Sequence, residues 1–308
     1  MLATRLSSHL KQLTKKEPAV HKQFVASCAE GQDCEGMLED PLLEEHFTAV
    51  RGLVHKYKNR ALVLLTLNCA AYCRFCTRRR KVSDIERGII TEKDLNAMAS
   101  YLKKHQEIKE LVISGGDPLT VPDLLKKSLQ KFSKLPQIKI IRVGTRLPAA
   151  NPKMVNQKVI DALKVVKKQP LYLMVHFEHP AEITKPTIQA IKKLQAASTM
   201  LLSQSVFLKD VNDSADILCN LFTRLVEIGV KPYYIFRCDP VKGAEHFIVD
   251  FEKEAKIMTE VRRRVGGLAC PMYVIDAPNG SGKIPVPLDF WEFDRKKYKD
   301  FEGEIQKI

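Results

Sequence analysis

Three cysteines, Cys69, Cys73 and Cys76, fall within the stretch NCAAYCRFCTRRR (Asn68 to Arg80), and three arginines follow at once. A C-x3-C-x2-C run can support three kinds of chemistry. Structural zinc usually takes four ligands from two cysteine pairs set far apart. No second C-x2-C exists here, and nothing marks His55 or His105 as a fourth ligand. A redox dithiol would use Cys73 and Cys76 and leave Cys69 without a role. Three thiolates on one loop can instead hold three irons of a [4Fe–4S] cluster. The fourth iron then stays open to a ligand's amine and carboxylate.

Two further stretches carry chemistry. In VISGGDPL, Gly115 and Gly116 remove side chains so that backbone can approach a ligand closely. In VIDAPNGSGKIPV, Lys283 follows a glycine-rich loop. The Walker pattern fails at both ends, with Ala277 in place of its first Gly and Ile284 in place of its Ser or Thr. The alternative is a lysine that forms a Schiff base with pyridoxal phosphate, a weak signal from spacing alone. Asp239 in CDP and Asp276 in DAPNG stand at turn-like positions, where an aspartate can simply cap the turn.

The elements that must position these residues alternate along the chain. ALVLLTL (61–67), ELVIS, IKIIRVG, LYLMVHF, MLLSQSVFL and KPYYIFRC read as strands, each followed by a helical pattern, and PMYVID reads as one more strand. Apolar runs separated by helices imply a parallel sheet covered on both faces. Polar residues recur at the strand ends: Asn68, Ser114, Arg146, His176, Ser205 and Asp239. In a βα barrel such ends converge on one face. The reading is an α/β chain with a helical cap over residues 1–60, a partial barrel over 61–290 and a tail over 291–308.

Composition narrows the class. Of 308 residues, 45% are hydrophobic and 28% charged, ordinary for a soluble globular protein. No apolar run reaches the ~20 residues of a membrane span, and the N-terminus has no signal-peptide pattern, so a cytoplasmic, membrane-free protein is expected. Eight cysteines in such a compartment argue for metal or catalytic use of a tight cluster. The net charge of +14 sits in Lys-Lys pairs on helices, without the interleaved aromatics of a nucleic-acid groove.

The spacing C-x3-C-x2-C with Phe75 before the last cysteine resembles the signature of radical S-adenosylmethionine enzymes. CAAYCRFCTRRR, SGGDPL, HFEHPAEIT, QSVFLKDVND, PYYIFRCD and DAPNGSGKIPV, in this order over about residues 40–290, resemble the lysine 2,3-aminomutase family. That resemblance implies a partial (β/α)6 TIM-type barrel of the radical SAM class, with a short helical N-terminal extension. It implies an isomerase that converts L-lysine to β-lysine, with a [4Fe–4S] cluster, S-adenosyl-L-methionine and pyridoxal 5'-phosphate. An aminomutase acting on arginine or glutamate is the alternative, and a radical nucleic-acid modification enzyme the more distant one.

Site residues follow one at a time. Cys69, Cys73 and Cys76 match the cluster ligands, and Lys283 the pyridoxal phosphate lysine. Ser114, Gly115, Gly116, Asp117, His176 and Gln204 match the S-adenosylmethionine side. Tyr57, Arg60 and Lys56 match the pyridoxal phosphate segment, with Lys56 standing where many members have Arg. Arg78 matches the carboxylate-binding Arg, and Asp239 and Asp276 the pair that grips a remote ammonium, which favours lysine over glutamate. Arg79 and Arg80 add positive potential. The resemblance also implies an electron donor such as flavodoxin or ferredoxin. No cysteine follows Cys270, so no structural zinc is expected, and any homo-oligomer differs from that of longer members. DPLLEEHF and GLVHKYKNRAL resemble the branch linked to elongation factor P, whereas CTRRR and DAP resemble the free-lysine branch.

Overall fold

The computed structural model describes residues 2–32, 34–82, 84–86, 88–277, 282–292, 297–300 and 303–307. Two helices come first, α1 (Ser8–Lys16) and α2 (Pro18–Phe24), and then the short strands β1 (Thr48–Val50) and β2 (Leu53–Tyr57). β3 (Arg60–Thr66) opens the alternating part. It runs through α3 (Glu92–Lys104), β4 (Glu110–Gly115), α4 (Pro122–Phe132), β5 (Ile140–Thr145), the single turn α5 (Leu147–Ala150), α6 (Gln157–Leu163) and β6 (Leu171–His176). It continues through α7 (Lys185–Gln195), β7 (Met200–Val206), α8 (Ala215–Glu227), β8 (Lys231–Phe236), α9 (Phe251–Arg264) and β9 (Met272–Asp276), and then turns back as β10 (Lys283–Pro285).

Local chemistry starts these helices where the sequence places a short polar side chain. Thr91, Asn156, Thr184, Ser214 and Asp250 each accept a backbone N–H of the following turn. Strands β3 to β9 pair in parallel and in chain order. That is the topology of six βα units closed by a seventh strand.

Two boundaries differ from expectation. The segment 1–60 is not helical throughout, because β1 and β2 extend the main sheet antiparallel to β3. Leu53 and Val54 are buried there and cover an edge that β3 would otherwise leave open. The stretch 291–308 is not a plain tail. β11 (Trp291–Glu292), β12 (Lys297–Lys299) and β13 (Ile305–Lys307) form a separate three-stranded antiparallel sheet.

Strand parity divides the interior. Ala61, Val63, Leu65, Leu111, Ile113, Ile141, Val143, Leu173 and Val175 are buried in one core with Leu95, Leu102, Leu125, Leu129, Leu194 and Leu221 of the helices. The alternate residues Leu62, Val112, Arg142, Tyr172, Gln204 and Tyr234 line a single cavity of about 850 Å3. The strands are therefore not apolar on both faces, and the inner face carries the polar residues. One cavity touched by β2 through β10 requires a curved sheet. Its ends approach each other, since a Cβ on Gly282 would lie 3.4 Å from the Tyr57 ring. Among the described residues no helix is long and apolar enough to cross a membrane.

Candidate functional site

All of the residues singled out above as cluster, cofactor or substrate contacts line this one cavity. The three cysteines enter it from the loop after β3. All three are free thiols. Burial pushes each thiol up: Cys69 well above its ordinary value, Cys73 to about 11, and Cys76 in the same direction. Cys76 raises both Cys69 and Cys73 further, and Cys73 also raises Cys69, so the three sulfurs feel one another. Iron reverses this, because a coordinating thiol loses its proton outright. Among the described residues no three His, Cys, Asp or Glu side chains converge on a single ion. Three desolvated thiols that feel one another and form no disulfide fit a polynuclear iron–sulfur group.

The loop is fastened from below by the glycine pair. Gly115 has φ +124, and a Cβ there would lie 2.3 Å from the Thr66 carbonyl oxygen. A Cβ on Gly116 would lie 2.4 Å from that of Asn68. Gly116 N–H donates to the Thr66 carbonyl at 2.5 Å, and Asp117 N–H to that of Asn68 at 2.8 Å. The glycines are thus required by the chain's own backbone at the root of the cysteine loop, a tighter constraint than approach to a ligand.

Asp117 also differs from expectation. Its buried carboxylate accepts from Leu119 N–H at 3.1 Å, Thr145 Oγ1 at 2.9 Å and Arg146 N–H at 2.8 Å. It ties the end of β4 to the end of β5, and these bonds are all internal. Ser114 Oγ accepts from Arg78 Nη1 at 3.4 Å. His176 and Gln204 are paired neighbours on β6 and β7, and His176 Nδ1 lies 3.8 Å from Glu178 Oε1. That Glu178 oxygen and Arg146 Nε are buried without a hydrogen-bond partner among the described residues. Glu178 lies behind the cavity, but Arg146, His176 and Gln204 line it beside the glycine-floored wall, and these polar groups suit a polar ligand such as S-adenosylmethionine.

Arg78 is not a free fork. Its Nε and Nη2 hold both oxygens of the buried Glu44, at 2.6 to 3.0 Å, and Nη1 donates to the Gly115 carbonyl at 3.1 Å. Arg79 and Arg80 are not free charges either. Arg79 pairs with Glu30 at 2.6 Å, and Arg80 with Asp40 at 3.0 Å and Glu45 at 3.1 Å.

The far wall holds Lys283, opposite Asp276 in the β9–β10 register. Lys283 Nζ donates to both Asp276 oxygens, at 2.7 and 2.8 Å, and lies 4.9 Å from the Phe236 ring centre. The glycine-loop residues Pro278, Asn279, Gly280 and Ser281 lie outside the described residues. Burial, then the charge of Asp276, pushes the Asp239 carboxyl up to about 7, against the pull of Lys283 and Lys56. On the β2–β3 hairpin the Arg60 guanidinium stacks 3.9 Å from the Tyr57 ring centre. Lys56 donates to the Leu42 carbonyl at 3.4 Å. Neither cation has a carboxylate within ion-pair distance among the described residues. Two unneutralised cations, an aromatic ring and an amine suit a phosphorylated aldehyde such as pyridoxal phosphate.

Sequence reasoning missed Glu44, Arg74 and Glu182. Glu44 carried a signal, since it sits in the acidic stretch DPLLEEHF just before the hairpin. Arg74 was visible only as one more basic residue of its loop.

The sequence profile of the Radical SAM superfamily matches residues 63–214. An L-lysine 2,3-aminomutase of Methanococcus maripaludis is 36% identical over 94% of this chain and 67% of its own length. A glutamate 2,3-aminomutase of Clostridioides difficile is 34% identical over 87% of this chain and 64% of its own. Among solved structures, a radical SAM methyltransferase from Sphaerobacter thermophilus shares the fold. Its TM-score is 0.53 at 14% identity, covering 72% of this chain and 68% of that one.

Two outcomes follow from this geometry. Gly116→Ala lowers stability by roughly 1–3 kcal/mol, because its methyl group meets backbone that cannot move aside; an unchanged Tm would refute the close approach. Asp239 holds its proton more tightly folded than unfolded, so its contribution to stability is lost as pH rises through about 7. Asp239→Asn therefore gains stability over the parent progressively between about pH 4 and pH 7, then levels off. A pH-independent Tm difference between the two proteins would contradict this.

Proposed function

Because the chain belongs to the lysine 2,3-aminomutase family of radical S-adenosylmethionine enzymes, we propose that it moves the 2-amino group of L-lysine to carbon 3, giving β-lysine. The observation that carries the choice of substrate is the pair Asp239 and Asp276 beside Lys283. Two carboxylates whose charges act on each other do not both stay ionised without a cation. Once Lys283 is committed to a carbonyl, the cation left to supply is the remote ammonium of the substrate. A glutamate side chain would add a third negative charge at the same place.

When bound, the cluster with S-adenosylmethionine supplies hydrogen-abstracting chemistry, and pyridoxal phosphate supplies a conjugated carbonyl for the migrating amino group. Cys69, Cys73 and Cys76 hold the iron. Ser114, Gly115, Gly116, His176 and Gln204 form the wall against S-adenosylmethionine, and Asp117 positions that wall through Thr145 and the Arg146 amide. Lys56 and Arg60 take the phosphate, with Tyr57 against the ring.

Lys283 is nucleophilic only as a free amine, and Asp276 lies within hydrogen-bond distance to take its proton at Oδ1 or Oδ2 and release it to water, returning to the carboxylate. Arg78 receives the substrate carboxylate in exchange for Glu44 on its fork. A low-potential electron donor, such as a ferredoxin or flavodoxin, completes the requirement.

The test is anaerobic. The chain reconstituted with iron and sulfide, then given S-adenosylmethionine, pyridoxal phosphate and L-lysine, forms β-lysine detectable by mass spectrometry. Product from glutamate and none from lysine would overturn the substrate assignment. Lys283→Ala abolishes the visible absorbance of the protein-bound pyridoxal chromophore and lowers turnover by several orders of magnitude; a retained chromophore would remove Lys283 from its role.

A pH dependence follows with its sign. Asp239 attracts an ammonium only when ionised, so L-lysine binding weakens as pH falls below about 7. Asp239→Asn removes that inflection from the calorimetric affinity profile, whereas an inflection that survives the substitution would point to another group.

A further inference from the structure

Arg146, just after β5, has entered the site so far only through its backbone amide, its unpartnered Nε and its place on the cavity wall. Its Nη1 donates to Cys73 Sγ at 2.9 Å. Nη2 donates to Glu182 Oε2 at 3.1 Å and to Gln23 Oε1. Its backbone N–H donates to Asp117 Oδ2 at 2.8 Å. The guanidinium carbon lies 4.5 Å from the Phe24 ring centre and 5.3 Å from that of Phe75. The side chain is 11% exposed and Glu182 fully buried. An arginine held on so many sides has no freedom to swing away from the sulfur.

Two carboxylates, Glu182 and Glu178, act on its charge, yet its Nη1 donor is turned to neither of them. Glu182 is shared, because Oε1 accepts from the backbone N–H groups of Glu178 and His179 at 3.0 and 2.9 Å and from Gln23 Nε2 at 3.1 Å. Only Oε2 faces Arg146. The positive end of the pair is therefore directed at Cys73. Hydrogen bonds to ligand sulfurs and nearby net charge are what set the reduction potential of an iron–sulfur cluster.

We propose that Arg146 tunes the cluster, its N–H on the Cys73 sulfur stabilising the reduced form and raising the reduction potential. This rests on the reading that the three cysteines hold a [4Fe–4S] group. The step concerned is a one-electron reduction of the cluster from its 2+ to its + state. The electron comes from an external low-potential donor, and no bond forms or breaks. The added electron increases negative charge on the sulfurs, and a fixed cationic donor favours that form over the oxidised one. Arg146 is thus a positioning residue that acts through Cys73.

The experiment measures potential, not turnover. The full chain, Arg146→Lys, Arg146→Gln and the double variant R146Q/E182Q are reconstituted anaerobically, and iron and sulfide are counted. Each is titrated with reductant while the reduced-cluster electron paramagnetic resonance signal is followed. The double variant guards against misfolding. It removes both buried charges, while the side-chain amide that replaces the Glu182 carboxylate keeps an acceptor oxygen for the backbone N–H groups of Glu178 and His179.

The expected result is equal iron content, with the reduction equilibrium constant at least tenfold lower in R146Q and in the double variant. That is about 59 mV for one electron. R146K falls between these and the parent. Equal potentials in all four proteins overturn the proposal, as does an unchanged potential with weakened S-adenosylmethionine binding. Loss of iron from the double variant at parental Tm and circular dichroism overturns it too, since Arg146 would then only build the loop. Failure of the parent to load iron sinks the cysteine reading itself, a result distinguishable from the others.

Discussion

A fully buried ion pair inside the cysteine loop is the constraint on which the site depends. Arg74 stands between Cys73 and Cys76 with its side chain wholly enclosed, as is that of its partner Glu30. Arg74 Nε donates to Glu30 Oε1 at 2.7 Å, and its other nitrogens donate to the carbonyls of Ala3 and Leu2 at 3.0 and 2.9 Å. Burial works to raise the Glu30 carboxyl, but the Arg74 hydrogen bond, the Ser27 amide, the Arg74 charge and Arg79 together hold it below its ordinary range. A buried charge that loses its partner costs about 3–5 kcal/mol. The chain must therefore bring its N-terminal residues, the turn at residues 28–31 and the cysteine loop together or leave that charge stranded.

The same loop is fixed from two further sides. Arg74 N–H donates to the Gln23 carbonyl at 2.8 Å, and Gln23 in turn binds Glu182 and Arg146. Beneath, Gly115 and Gly116 press against Thr66 and Asn68. The helical N-terminal part is thus not an appendage: α2 supplies polar groups that reach the ends of three separate βα units. A site carried on a loop gains precision only through such supports.

Some charged groups in the cavity have a partner of the other sign, and others do not. Glu44 occupies the fork of Arg78, Asp276 holds Lys283, and Glu110 holds Arg142 on the inner wall. Arg60 and Lys56 stand apart as cations on the hairpin, and Asp239 stands beside Asp276 with its carboxyl raised. In a low-dielectric cavity such imbalances are where charged ligands gain most. A phosphate at the cations and an ammonium at the carboxylates complement this pattern.

Much of this was legible from periodicity and local chemistry. Six helical patterns separated by strand-length apolar runs were enough to read the parallel order, because helix and strand periods act over a few residues. The cysteine spacing and the glycine pair could be picked out for the same reason, whereas Lys283 was a weak signal until the family resemblance marked it. The β1–β2 hairpin escaped notice because its burial comes from an edge of β3 that no short window reveals. The partners of the charged residues escaped it too. Which carboxylate faces Arg78, that Asp117 is spent on Thr145 and the Arg146 amide, and that Arg146 rests on Cys73 are contacts across 28 to 73 residues of chain. Local pattern assigns a residue its element and its face. The identity of its neighbour depends on how the curved sheet closes, and that distance decides whether a buried charge is a support or a binding group.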